Sequence, residues 1–216
     1  MTVKASSLLA LAAIWATMIP AVVAQPDAWW SLIFAFLGSM AIGSRLWRSV
    51  GLAKLIAVGG IWLGTAIAVG ADEGAAWVSI FAFFSTGAIA GGIMRRDAIG
   101  LGAAVALVWL VVGAVAADRD DGAWICIFAF LTTAALSSSR GDWARGGSTM
   151  LWWGIAGLVM LAANGWYWLS IPAFLLSAGA VGFSDFHLPR GIDWDLFDRD
   201  DEDGGGEPRV VNPPHS

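Results

Sequence analysis

The sequence predicts an all-α, polytopic membrane protein with eight transmembrane helices, arranged as four tandem helical-hairpin repeats of about 47 residues. Three observations predict this fold: an apolar composition, charged residues confined to short segments, and a Trp-marked internal repeat. The chain of 216 residues is 58% hydrophobic and 13% charged, whereas soluble domains carry about 25% charged residues. A globule with so few polar groups could not cover its surface, so lipid is the expected solvent for most of the chain.

Long stretches of the chain contain no charged residue. One helical crossing requires about 17–25 apolar residues. Each of the first six charge-free stretches fits one crossing, and the last, 39 residues long, fits two with a turn near Asn164-Gly165. We therefore predict eight crossings with no ionisable residue inside them. The stretches are 5–26, 28–44, 55–71, 74–94, 98–117, 122–139 and 146–184.

Tryptophans mark the repeat. Spacings of 47, 47 and 44 residues separate Trp15, Trp62, Trp109 and Trp153. A second Trp follows each of these by 15 residues and opens a common phrase: Trp30-SLIFAF, Trp77-VSIFAF, Trp124-ICIFAF and Trp168-LSIPAF. The repeat defines unit 1 (4–50), unit 2 (51–97), unit 3 (98–144) and unit 4 (145–184), which together form the predicted bundle 1–184. Each unit is predicted to be one hairpin, so all four share one orientation.

The connections between the predicted helices alternate in charge. Eleven basic residues fall in the N-terminus, in the connections 45–54, 95–97 and 140–145, and in the segment from 185, whereas the outer turns hold only Arg119. Basic residues stay on the cytoplasmic side of a membrane. We therefore expect both termini in the cytoplasm and the chain in a bacterial inner membrane. Abundant Ala, Gly and Trp, and ten arginines against two lysines, favour a GC-rich genome, bacterial or phage.

The first predicted helix has an alternative interpretation. Lys4, the apolar run from Leu8, and the residues before Gln25 resemble a secretory signal with its cleavage site. Cleavage would leave seven helices and an N-terminus outside the cell. Trp15 falls in register with the other units, which favours retention, because a removable leader has no reason to follow the repeat.

The second helix of each unit carries small residues at a spacing of four. Such residues let helix backbones approach closely in lipid, and serine or threonine can bond a facing carbonyl. We interpret this stripe as the packing surface of the bundle; the alternative is a polar pathway. The stripe comprises Ala35, Ser39, Ala82, Thr86, Ala129, Thr133, Ala173 and Ser177. In unit 4, Pro172 replaces a Phe of the common phrase, which predicts a kink in the last helix.

The tryptophans that define the repeat fall near the middle of predicted helices, where an indole N–H needs an acceptor. We interpret them as core residues with a Ser, Thr or backbone partner. The alternative is an aromatic-lined pocket for a lipid or another apolar ligand. The candidate pocket residues are Trp15, Trp62, Trp109 and Trp153.

The segment 185–216 is acidic, with a Gly-rich, Pro-containing end, and we expect a largely disordered cytoplasmic tail. Its apolar residues form a candidate docking motif for a protein partner; the alternative is a segment whose aromatic rings lie on lipid headgroups. Negative charge opposes binding to anionic lipid, which favours the protein. The motif residues are Ile192, Trp194, Leu196 and Phe197.

Two-helix, Trp-containing units of this length resemble the SPW-repeat membrane proteins in architecture. The signature tripeptide of that family is missing, so the resemblance implies nothing about a site. The corresponding positions read Ile14-Trp15-Ala16, Ile61-Trp62-Leu63, Val108-Trp109-Leu110 and Trp152-Trp153-Gly154.

The chemistry-bearing residues are few. Cys126 is the only cysteine, there are two histidines, and the carboxylates lie in predicted turns or the tail, so we expect no catalytic site, cofactor, metal or nucleic-acid partner. The sequence favours a non-enzymatic membrane anchor or accessory subunit, in the lipid bilayer, with a cytoplasmic or membrane protein as partner. The alternative is a transporter, channel or lipid-binding protein for a neutral or apolar solute.

Overall fold

The computed structural model describes residues 3–43, 51–92, 98–119, 121–138, 143–163 and 166–181. These residues form eight α-helices, with a short 3-10 helix before each even-numbered one. The α-helices are α1 (Val3–Ala24), α2 (Ser31–Gly43), α3 (Leu52–Ala71), α4 (Val78–Gly91), α5 (Ile99–Asp118), α6 (Cys126–Ser138), α7 (Trp143–Ala162) and α8 (Ser170–Val181). The 3-10 helices are Pro26–Ala28, Glu73–Trp77, Gly122–Ile125 and Tyr167–Leu169.

Four helical segments are long and apolar enough to cross a membrane: Ala5–Ala24, Leu52–Ala71, Glu73–Gly91 and Ile99–Asp118. Three others are apolar but shorter: Ser31–Gly43, Gly122–Ser138 and Tyr167–Gly179. The structure therefore confirms the all-α fold and several helices able to span a membrane. The count of eight crossings rests on the sequence.

The described helices lie in two rows. In one row α3 packs between α1 and α5, and α5 continues to α7; in the other, α4 packs between α2 and α6, and α6 continues to α8. The two helices of each unit also pack against each other. Among the described residues, extensive contacts join consecutive units only. The rows are therefore open, with unit 1 at one end and unit 4 at the other.

Backbone contact joins α3 and α5. A Cβ atom on Gly60 would overlap the Cα and Cβ of Ala106, and one on Gly64 would overlap the carbonyl oxygen of Trp109. Gly113 faces the carbonyl of Gly64 in the same way. Only residues without side chains permit this approach. The packing stripe predicted from the sequence lies on the second helices and does not include this contact, although the Gly60-xxx-Gly64 spacing is a signal for it.

Phenylalanine pairs join the second row. At each junction, the first Phe of the common phrase meets the second Phe of the corresponding phrase in the next unit. The three pairs, with ring centroids 6.4, 6.1 and 6.2 Å apart, are Phe34–Phe83, Phe81–Phe130 and Phe128–Phe174. In unit 4, Pro172 takes the position of the first Phe.

Some predictions of helix geometry are wrong. The sequence analysis assigns Lys54 and Arg145 to connections, but α3 begins at Leu52 and α7 at Trp143. A charge-free stretch indicates the apolar part of a helix, but the helix itself can begin earlier, with a polar first turn. Pro172 lies in the first turn of α8, where its missing N–H removes no intrahelical bond, so the reason for a kink does not hold. The turn expected at Asn164-Gly165 lies outside the described residues.

Candidate functional site

The repeat-defining tryptophans occupy equivalent positions in the first row, but their surroundings differ. Trp62, Trp109 and Trp153 are fully buried, whereas Trp15 is partly exposed. Both α1 and α7 have a first-row neighbour on one side only, so the end position by itself does not expose the indole of Trp15.

In units 2 and 3 the indole is hydrogen-bonded to the second helix of its own unit. Trp62 Nε1 donates to Thr86 Oγ1 at 3.0 Å, and Trp109 Nε1 donates to Thr133 Oγ1 at 3.0 Å. Each threonine hydroxyl donates in turn to the carbonyl four residues earlier, at 2.8 Å. This relay from indole to hydroxyl to carbonyl satisfies the buried polar atoms and ties the two helices together.

Unit 4 has a tryptophan and a hydroxyl residue, here Ser177, at the same 24-residue spacing, but the two are not hydrogen-bonded to each other. Trp153 Nε1 has no hydrogen-bond partner among the described residues. Ser177 is nearly fully buried, and its hydroxyl donates to the carbonyl of Ala173 at 2.7 Å. In unit 1, Ser39 donates to the carbonyl of Ala35 at 2.9 Å. The relay is therefore complete in the two middle units.

The small residues of the predicted stripe lie in the interior. The alanines at its first position are buried in all four units, and at its second position only Ser39 is partly exposed. The hydroxyls donate to carbonyls of their own helix rather than to a facing helix. Burial of these positions supports the packing interpretation, which stays a prediction.

Lys54 is a buried charged residue at the start of α3. It is 2% exposed and lies within the candidate span Leu52–Ala71. Its Nζ donates to the carbonyl of Gly92 at 3.2 Å, just after α4 ends. Carbonyls at a helix C-terminus lack intrahelical donors and carry partial negative charge, so an ammonium group is stabilised there. The prediction that no ionisable residue lies within a span is wrong at the ends of three candidate spans, which include Lys54, Glu73 and Asp118.

The outer turns have their own polar contacts. The side chain of Asp72 accepts from the N–H of Gly74 at 3.0 Å and so caps a 3-10 helix. Arg119 contacts Asp118 at 2.8 Å, and its guanidinium donates to the carbonyl of Leu161 at 3.4 Å, near the end of α7. The single basic residue of the outer turns thus lies at a helix C-terminus, a position that favours a cation.

Other candidate chemistry is limited. Cys126 is buried and has a free thiol. In the part of the chain that the structure describes, no three metal-ligating side chains cluster. The predicted docking residues Ile192, Trp194, Leu196 and Phe197 lie outside the described residues.

Comparison with protein-family models, curated proteins and solved structures found no match for this chain. The fold defines the class: an all-α protein with several helices able to span a membrane. Its function has to be argued from its own residues.

Proposed function

We propose that this protein is a non-enzymatic, multi-pass integral membrane protein that acts as an anchor or accessory subunit. Its eight helices cross the bacterial inner membrane as four tandem hairpins, with both termini in the cytoplasm. The tail 185–216 docks a cytoplasmic or membrane protein partner. The observation that carries the proposal is the use of mid-helix polar groups to join helices.

The relay in units 2 and 3 supports a scaffold role. Thr86 and Thr133 each donate to a carbonyl and accept from an indole, which leaves little hydrogen-bonding capacity for a passing solute. Beside them, Gly60 and Gly64 bring α3 against the backbone of α5. An interior whose polar side chains are hydrogen-bonded to each other and whose helix backbones are in contact favours an anchor over a transporter or channel.

The surface supports the membrane location. Large apolar side chains are exposed on α1, α2, α7 and α8, including Leu8 at 65%, Phe36 at 55% and Leu158 at 72%. Soluble monomers rarely expose such contiguous apolar surface. The 3-10 helix before each second helix lengthens the helical segment, as in the 19-residue candidate span Glu73–Gly91. The shorter second helices occupy positions of the repeat that are equivalent to this span.

Cysteine mapping tests the orientation. In a Cys126→Ser background, Asp72→Cys should react with a membrane-impermeant maleimide added to intact cells, and Arg95→Cys should react only after the cells are opened. Asp72 lies in a predicted outer turn and Arg95 in a predicted inner one, so each is the control for the other. Equal labelling in intact cells, or recovery of the protein in the supernatant without detergent, contradicts the proposal.

Deletion of 186–216 tests the docking role. The truncated protein should insert into the membrane as before but lose the cytoplasmic partners that crosslink to the full chain. A sharper variant replaces the four apolar docking residues by serine, and its matched control replaces the neighbouring aspartates by asparagine. The serine variant should lose the partners and the asparagine variant should retain them. An unchanged set of partners after deletion contradicts the docking proposal.

A second candidate function is binding or transport of a neutral or apolar solute. The partly exposed Trp15 at the open end of the first row favours it, because an aromatic ring there can contact a lipid. Flux in proteoliposomes, or a co-purified lipid that is lost when Trp62 and Trp109 are replaced by Phe, would establish this function. A lipid-free preparation with no flux would exclude it.

A further inference from the structure

Two polar side chains of α7 are fully buried and have no hydrogen-bond partner among the described residues. The atoms are Thr149 Oγ1 and Trp153 Nε1. Buried polar groups in folded proteins are normally hydrogen-bonded to protein or to ordered water. An indole N–H can only donate, so the group that satisfies Trp153 has to supply an acceptor.

Thr149 also differs from the other threonines that the structure describes. Each of the other five donates to the carbonyl four residues earlier, at 2.8–2.9 Å. Thr149 makes no such bond. Its hydroxyl is therefore not used by its own helix, which leaves both its proton and its lone pairs for another group.

Both residues lie on the face of α7 that packs against α5. They are one helical turn apart, and the same face carries Gly146 and Gly157, whose Cβ positions would meet Gly100 and Val111 of α5. The pair is therefore enclosed between helices. Residues 100–111 of α5 include no side chain that can accept a hydrogen bond, so that stretch of α5 cannot satisfy the indole. Ser177 of α8, the equivalent of the relay threonines, donates to the carbonyl of Ala173 but does not accept from the indole.

Comparison of the units shows what is particular to unit 4. The position of Thr149 is occupied by Val58 in unit 2 and Val105 in unit 3, and the position of Ser177 is threonine in both. Relative to the middle units, unit 4 thus gains one hydroxyl and loses two methyl groups, and its fully buried indole has no partner among the described residues. Sites that are polar and roomy enough hold water, whereas apolar ones stay dry.

We propose that unit 4 binds a small neutral oxygen-bearing guest, one water molecule in the resting protein, between Trp153 Nε1 and Thr149 Oγ1. The guest oxygen accepts from the indole, and it exchanges a hydrogen bond with the hydroxyl. A neutral guest fits the site because residues 100–111 and 146–157 carry no charge. This site is independent of the tail and of its proposed partner.

Magnetisation transfer from bulk water to the indole protons tests the proposal. The full-length protein is labelled with 15N-tryptophan in lipid nanodiscs, and the signals are assigned by replacing one tryptophan at a time with Phe. The Trp153 indole proton should show a cross-peak to water. The Trp109 indole, equally buried but bonded to Thr133, should show none and is the internal control.

Two substitutions that copy the middle units sharpen the test. Thr149→Val and Ser177→Thr, together, should abolish the water cross-peak of Trp153 and slow its deuterium exchange toward the rate of Trp109. Thr65→Val, which removes a hydroxyl bonded to its own helix in α3, should leave the cross-peak intact. The proposal is overturned if wild-type Trp153 shows no more transfer than Trp109, or if Thr149→Val alone leaves the transfer unchanged.

Discussion

In the middle of the first row, 67% of the α3 span and 61% of the α5 span are buried, whereas at the end 22% of the α1 span is buried. The indoles of the two middle units are hydrogen-bonded. At the ends, Trp153 has no partner among the described residues and Trp15 is partly exposed. Equivalent positions of one repeat therefore have different environments in the middle and at the ends of the row.

One pair of repeat positions shows how far the units differ. Gly60 and Gly64 of α3, which meet α5, correspond in unit 3 to Leu107 and Val111, and in unit 4 to Leu151 and Ile155, which are 58% and 47% exposed. The missing side chains on α3 allow backbone contact with α5, whereas the exposed apolar side chains on α7 suit lipid. The backbone contact at these positions is therefore a feature of unit 2 and not of the repeat.

The largest expected effect comes from a methyl group in the α3–α5 contact. Gly64→Ala places a Cβ on the carbonyl oxygen of Trp109, and backbone cannot rotate away, so we expect a loss of about 3 kcal/mol or more in the free energy of unfolding. The measurement is SDS titration of the protein in detergent micelles.

The matched control is Gly59→Ala, one position earlier on the same helix, where a Cβ meets nothing within 4 Å. It should be neutral or stabilising by up to about 1 kcal/mol, because alanine favours the helix. Equal effects of the two substitutions would contradict the backbone contact.

Removal of the relay hydroxyl should have the next largest effect. Thr133→Val keeps the shape of the side chain and leaves the Trp109 indole buried without an acceptor, at a cost of about 1–3 kcal/mol. Ser39→Ala in unit 1, where the site is partly exposed, should cost less than half of this. In a double-mutant cycle with Trp109→Phe, a coupling energy near zero would show that the hydrogen bond contributes nothing.

Loss of one aromatic ring in the second row should have a smaller effect. Phe130→Leu removes contacts with Phe81 and Phe84, whose ring centroids are both 6.1 Å away, and should cost about 0.5–1.5 kcal/mol. Phe36→Leu changes the equivalent residue of unit 1, which is 55% exposed and has no ring contact among the described residues. It should change the unfolding midpoint little. Equal costs would mean that the ring pairs do not join the units.

The smallest expected effect is at the outer turn between units 3 and 4. Arg119→Gln removes the cation near the end of α7 and should cost about 0.3–1 kcal/mol at low salt, less as salt screens the interaction. Asp118→Asn, the control, removes the ion pair but keeps the cation and should cost less. A salt-independent loss would contradict the electrostatic explanation.

Some features could be read from particular residues. The Trp spacing and the common phrase predict the helix pairs and identify Ala35, Thr86 and their equivalents as interior positions. For Lys54 the position predicted from the sequence is wrong. Charge alone placed it in a connection, but a flexible stem and the nearby end of α4 let the fold bury its ammonium group against Gly92.

The sequence by itself predicted a membrane protein, a helical hairpin as the repeating element and the interior face of each second helix, since composition and periodicity act locally along the chain. Only the tertiary structure decided that the described helices form open rows, that glycines on α3 and α5 make the closest contact, and that the buried indole of Trp153 has no partner among the described residues. These features depend on which helices become neighbours. A glycine has no side chain that indicates in the sequence which helix it contacts. Equivalent repeat positions acquire different surroundings only when the helices pack.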